Sequence, residues 1–259
     1  MVWYLESVEL KKLTRLLLII FGVFAGSLGS AAYAADMLLL ADPWCPFNCI
    51  ENEAETGEGI LIDGIKSIFP DMKITYREEP WKRSIADVLS GRGDGLVGVG
   101  RGEVPSLIFT KKPMAFAKHT FFVRKDDKWE FKGYDSLKNR TIGAIASYSY
   151  GDFKARYIDN AGIGNITIVH GDQPLNKLVN LLRAKRIDTI VAEEKVLNYF
   201  LAHYHPEIGF KNAGIASLEE IYIGFSPKYK MASKVVDRLN KYLENQNFES
   251  LFVRYINNQ

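Results

Sequence analysis

Two successive series of alternating strand-type and helix-type segments restrict this chain more than any other feature. In the first, Met37–Ala41 is a short apolar strand, Gly59–Phe69 carries Ile60, Leu61, Ile65, Ile68 and Phe69 at helical spacing, and Lys73–Arg77 alternates as a strand. Pro80 is placed to open a helix through Ile85, Val88 and Leu89 to Gly91, and Leu96–Val99 reads as a buried strand. The second series begins after Trp129 and Gly133: strand Thr141–Ile145, helix Gly151–Asn160, strand Ile166–Val169, helix Pro174–Lys185, strand Thr189–Ala192 and helix Glu194–His203. Strand, helix and strand in that order imply parallel pairing with crossover helices. Each series therefore predicts an α/β lobe with a mixed, mostly parallel sheet. Thr120–Arg124 and Ile221–Phe225 are expected to cross between the lobes as a two-strand hinge, and helices Ala232–Glu244 and Phe248–Ile256 to return to the first lobe. The expected division is residues 36–118 with 219–259 for lobe 1, and 119–218 for lobe 2. A cleft between two such lobes can close on a small molecule by hinge motion.

The first 35 residues follow another pattern. Lys11, Lys12 and Arg15 precede an apolar run from Leu16 to Phe24, and small residues then lead to Ala32-Tyr33-Ala34. A positive end, an apolar middle and an A-x-A site in this order predict a secretory signal peptide cleaved near Ala34 or Ala35. Glycines at 22, 26 and 29 interrupt the run before it reaches the roughly 20 apolar residues of a membrane-spanning helix. The expectation is an exported, periplasmic protein.

Charge excludes one class of partner. The chain has 33 Lys and Arg against 31 Asp and Glu, whereas a nucleic-acid binder needs a concentrated basic face. Export bears on Cys45 and Cys49, the only two cysteines, because an oxidising compartment permits disulfides. A Cys45–Cys49 disulfide is the favoured reading, ahead of two free thiols. A metal site ranks last, since two thiols with no nearby His are an incomplete ligand set. No phosphate-binding loop, nucleophile elbow or paired-histidine zinc motif occurs. His203 and His205 read as surface groups at a helix C-terminus, and His119 and His170 stand alone. No metal or cofactor is expected.

Six short motifs in order give the chain a resemblance to a known family. Asp42, Trp44, Pro46 and Phe47 resemble a D-x-x-(aromatic)-x-P-F loop with one residue fewer. Trp81 opens a helix that ends in Gly91, Arg92 and Asp94, and Phe109-Thr110-Lys111-Lys112-Pro113 follows. Later come Asp135-Ser136-Leu137-Lys138, Gly143 after a strand, and Lys185-Arg186-Ile187-Asp188 with Glu193 five positions beyond Asp188. Over residues 36–259 the chain is similar to the periplasmic solute-binding proteins of ABC importers, polar amino-acid type. That family has the type 2 periplasmic-binding, or Venus flytrap, fold.

The resemblance implies a ligand held between Trp44 and Trp81 of the first lobe, with Asp42 beside them. It also implies a hydroxyl from Ser149, flanked by Tyr148 and Tyr150, and an acidic group on the ligand's amine at Glu193, where aspartate is usual. The family's carboxylate-binding arginine falls on Glu103 here, in a segment three residues shorter. Arg101 is the expected replacement and Arg83 the substitute, because a bidentate clamp on a carboxylate needs a guanidinium. If neither faces the cleft, an α-amino acid is not the expected ligand.

The resemblance thus implies a monomeric, non-catalytic binding protein. It would capture a small polar solute, an amino acid or related amine-bearing acid, and deliver it to the membrane permease of an ABC importer. Two alternatives share the fold: a dehydratase of cyclic dienyl acids with Glu193 as general acid, and a periplasmic sensor subunit.

Overall fold

The computed structural model describes residues 36–49, 57–159 and 165–245. The signal-type segment and the helix expected over residues 248–256 lie outside them. Eight strands form one sheet in the order β2-β1-β3-β8-β4-β7-β5-β6. Strands β1 (Asp36–Ala41), β2 (Lys73–Glu78) and β3 (Gly95–Val99) alternate with helices α1 (Ile60–Ile68) and α2 (Trp81–Ser90). β1 pairs in parallel with both of its neighbours, as the alternating order requires. Gly91 ends α2 in the left-handed conformation, where glycine carries no Cβ penalty.

The second lobe comprises β5 (Thr141–Ile145), β6 (Asn165–Val169), α3 (Pro174–Arg183), β7 (Thr189–Glu193) and α4 (Glu194–Tyr204), with β5 parallel to β6 and β7. β4 (Ala115–Arg124) closes this sheet by pairing antiparallel with β7. Its alternation divides the core. Phe121 and Val123 face a cluster with Ile142, Phe153, Tyr157 and Val191, while Phe122 faces one with Leu178, Val179, Leu182 and Ile190. Side chains of period two on both faces bury this sheet on both sides. A separate core under the first lobe gathers Leu40, Val88, Leu96, Val99 and Leu107.

Asp94 and Asp188 do the same structural work in the two lobes. Each ends a turn after a helix and accepts the backbone N–H of a neighbouring strand: Leu38 to Asp94 at 2.7 Å, and Thr141 to Asp188 at 2.8 Å. The repeated G/K-R-x-D phrase is therefore architectural.

Three elements differ from the sequence expectation, the first being the crossing strand β4, which runs from Ala115 rather than from Thr120. The crossing strand β8 runs from Phe210 to Phe225 rather than from Ile221. Its first part pairs antiparallel with β4 and its end, from Tyr222, with β3. Polar and glycine residues obscure period two along Lys211–Glu220, and backbone pairing supplies the order that the apolar pattern lacks. Bulges between His119 and Thr120 and between Phe121 and Phe122 mark this ribbon. The helix expected over Gly151–Asn160 is only a π-type turn, Lys154–Ile158, closed by Asp159 N–H to the Lys154 carbonyl at 2.9 Å. Tyr150 and Gly151 both have positive φ, which prevents a regular helix start there. The last described helix, α5 (Ala232–Asn245), returns to the first lobe, where Arg238 bonds the Ile68 carbonyl at 2.6 Å.

Candidate functional site

Acidic and aromatic side chains converge at the carboxyl ends of the parallel strands, the usual place for ligands in α/β sheets. Asp42 follows β1, Glu103 follows β3, Tyr148 and Ser149 follow β5, and Glu193 ends β7. They meet across a cleft of about 990 Å³, with an inner recess of about 40 Å³ at its floor. Asp42, Trp44, Trp81, Tyr148 and His119 line both, so recess and cleft are continuous.

On the first lobe, a tight loop presents Trp44. Its N–H donates to the Asn48 carbonyl at 2.9 Å, Cys45 and Cys49 are joined by a disulfide, and the Trp44 ring stacks on Phe47 at 4.6 Å. Gly98 in β3 has φ +78°, and a Cβ there would come within 3.4 Å of the Trp44 ring. A glycine lets the indole lie against the strand. Trp81 occupies the first position of α2, and its indole N–H donates to Glu103 Oε1 at 2.8 Å. Asn48 donates to the Asp42 carbonyl at 2.6 Å and to Tyr76 Oη at 2.9 Å.

The second lobe supplies Tyr148 and Ser149 from a loop whose residues 147 and 150 have positive φ. Such a backbone is held only when the surroundings fix it, and it is common at ligand sites. Tyr148 Oη donates to Asp42 Oδ2 at 2.8 Å. Ser149 Oγ lies 2.7 Å from both carboxylate oxygens of Glu219 on β8, and His119 Nε2 lies 2.9 Å from Glu219 Oε2.

Burial governs the charges. It pushes Asp42 up to about 6 against the Tyr148 hydrogen bond. It pushes Glu103 up to about 7 against the Trp81 hydrogen bond, with Glu219 adding to the rise. Burial also raises Glu219, but hydrogen bonds from His119 and Ser149 outweigh it and leave this carboxyl below its ordinary value.

The remaining sequence candidates lie outside the recess: Glu193 and Tyr150 on the wider cleft, Arg101 and Arg83 on neither. Glu193 caps α4: it accepts Val196 N–H at 2.7 Å and Lys118 N–H at 3.3 Å, and burial raises its pKa. Its carboxylate lines the outer cleft with both oxygens held by backbone. Tyr150 is 1% exposed and its hydroxyl accepts Ile145 N–H at 2.7 Å, so most of it is core. Arg101 donates to the Thr110 carbonyl at 2.5 Å and packs over Tyr222 at 4.8 Å, outside the residues that line the cleft. Arg83 is exposed on α2 and is not a lining residue either. Asn48, Glu103, His119 and Glu219 are the polar recess residues that the sequence reading did not place there. Only Glu103, on the position where the resemblance implies an arginine, carried a signal. Among the described residues, no group of three or more His, Cys, Asp or Glu is arranged to hold a metal ion.

No family model and no curated protein sequence matches the chain. Solved structures do. An ancestral arginine-binding protein bound to arginine superposes with a TM-score of 0.67 at 16% identity, over 86% of this chain and 99% of that one. A Bacillus subtilis protein described as a probable amino-acid ABC transporter extracellular-binding protein gives 0.66 at 15%, over 85% and 97%. The chain has the fold of the extracellular amino-acid-binding proteins. An ancestral amino acid-binding protein described as a precursor of cyclohexadienyl dehydratase shares this binding-protein fold, with a TM-score of 0.63 at 13% identity over 85% and 94%. The recess described above lies beside the β4–β8 ladder, with His119 from β4 and Glu219 and Ile221 from β8 in its lining.

Proposed function

We propose that the chain is an exported solute-binding protein that captures a small, amine-bearing polar solute between its lobes and delivers it to the membrane permease of an ABC importer. The observation that carries this reading is the shared recess. Trp44, Trp81 and Glu103 come from one lobe, Tyr148 and Ser149 from the other, and all meet one volume. A solute bridging them favours the closed form by its differential affinity. The proposed lobe boundary, 118/119 and 218/219, falls where Lys118 pairs with Leu218 beside a bulge, and bending of the ribbon there would open the cleft. Export through the signal-type segment would place the cleft in the periplasm. Binding rather than turnover is supported by Glu193, whose carboxylate is occupied as a helix cap and so is poorly disposed to act as a general acid.

The test is a thermal-shift screen of the purified exported protein against amines, amino acids, sugars and organic acids. A solute at 100 times its Kd adds about 2.7 kcal/mol of stability, and Trp81→Ala should abolish the shift. Consumption of a hit by the protein would replace this reading with the enzymatic one.

A further inference from the structure

The recess has an excess of acceptors and no side chain suited to a carboxylate. Asp42, Glu103 and Glu219 all line it, and His119 is the basic group among them. In the wider cleft, Lys82 is the one lysine or arginine among the described lining residues, and it is exposed. A carboxylate brought to the recess would meet like charge in a poorly solvated place, which is costly.

Two further groups point independently to a missing donor. Asn48 is 1% exposed, and while its amide N–H groups are engaged, its Oδ1 has no hydrogen-bond partner. That oxygen lies beside Gly98 at the recess wall. His119 is 4% exposed and its Nδ1 is likewise unpartnered, while Nε2 faces Glu219. With its proton on Nε2, His119 presents Nδ1 as an acceptor. Buried polar atoms without partners are rare in folded proteins, and a cation with N–H groups satisfies acceptors and carboxylates together.

Resting on the solute-binding reading, we propose that the ligand is an organic cation without an α-carboxylate, bound head-first, with its ammonium or guanidinium between Trp44 and Trp81 and facing Asp42, Glu103 and Glu219. Two indoles suit a cation as well as carboxylates do. The recess, at about 40 Å³, has room for a head group and not for a whole solute. Beyond it the cleft is walled by Ile145, Val169, Leu175 and Phe200, which fits an apolar body behind the charge.

Calorimetry on the purified exported protein with matched pairs tests this: agmatine against arginine, cadaverine against lysine, and phenethylamine against phenylalanine. At least one amine is expected to bind, tenfold or more tightly than its partner amino acid. Glu103→Gln and Asp42→Asn, each of which keeps a hydrogen-bond acceptor, should weaken it at least tenfold. Equal or tighter binding of the amino acids overturns the proposal and leaves the solute-binding reading standing. So does Trp81-dependent binding of sugars or organic acids without any amine. Amine binding unchanged in both variants also overturns it. If no solute of any class binds, the solute-binding reading fails as well.

Discussion

Tyr148 donates its phenolic proton to Oδ2 of Asp42 at 2.8 Å, so a residue after β5 of the second lobe is tied to one after β1 of the first. Together with the Ser149–Glu219 bond it joins the two sides of the cleft at its floor. A hydrogen bond to a charged acceptor contributes about 1.5–3 kcal/mol, enough to shift a two-state opening by tenfold or more. Tyr148→Phe should therefore open the ligand-free protein. Small-angle scattering should show a larger radius of gyration for the variant, restored by saturating ligand. An unchanged radius would mean that Tyr148 is not a latch.

The raised carboxyls of Asp42 and Glu103 set a pH dependence. A carboxyl whose folded pKa lies above its unfolded value holds its proton longer in the native state, so stability falls as pH rises between the two values. For Glu103 that window runs from about 4.5 to about 7, and for Asp42 from 3.8 to about 6. The groups facing them are Tyr148 for Asp42, and Trp81, Glu219 and Lys154 for Glu103. The ligand-free protein should lose thermal stability from pH 5 to pH 8, and Glu103→Gln should flatten that slope. A cationic ligand has the opposite trend, with affinity rising over the same range as the carboxylates ionise. Melting curves and calorimetry at pH 5, 6, 7 and 8 check both.

The alternation of strands and helices was legible for most elements because burial on both faces leaves apolar runs of fixed period: Thr141–Ile145 is a strand over the residues that the sequence indicates. The ribbon of β8 was not, since Lys211–Glu220 is held by backbone pairing to β4 and shows no clean alternation. The site divides similarly. Trp44, Trp81 and Ser149 sit on motifs with local signatures and do line the recess. Glu219 and His119 are 100 residues apart and meet only through the β4–β8 ladder, so neither has a signal in its own neighbourhood. Arg101 shows the converse error. A guanidinium near the expected position instead serves the Thr110 carbonyl and the Tyr222 ring.

That placement gives Arg101 a structural role with a distinct readout. Arg101→Met removes a charged hydrogen bond to a carbonyl but keeps an apolar stem over Tyr222, and it should cost about 1–3 kcal/mol of stability. Ligand affinity should stay within twofold of the parent protein. A tenfold loss of affinity in a folded variant would restore Arg101 to the binding site.

Asp127 and Arg140 make a paired contact in the second lobe, at 2.5 and 3.0 Å, and Arg140 lies over the Trp129 ring at 4.9 Å. The Arg140 hydrogen bonds hold the Asp127 carboxyl at about 2. Because the folded value is depressed, its contribution is fully present above the unfolded value of 3.8 and is lost as pH falls towards 2. Asp127→Asn should therefore lower the melting temperature at pH 6 and cease to matter near pH 2. A difference between variant and parent that persists at pH 2 would assign the effect to packing on Trp129.

The Cys45–Cys49 disulfide closes the loop that carries Trp44 and Asn48. A loop this short adds only about 2 kcal/mol in the chain-entropy model, so its larger effect should fall on the site. Within the loop, Phe47 N–H donates to the Trp44 carbonyl at 2.9 Å, and Cys49 N–H to the Glu58 carbonyl at 2.8 Å. These bonds keep some order after the bridge is lost, so the Cys45→Ser, Cys49→Ser double variant should fold. Its melting temperature should fall by several degrees, and its ligand affinity should drop further than that of a variant equally destabilised elsewhere, such as Asp127→Asn. Trp44 then has to be ordered on binding, at a cost of about 0.5–1.5 kcal/mol for an immobilised side chain, which corresponds to a two- to tenfold weaker Kd. Equal affinity in the double variant and the parent would show that the loop holds Trp44 without the bridge.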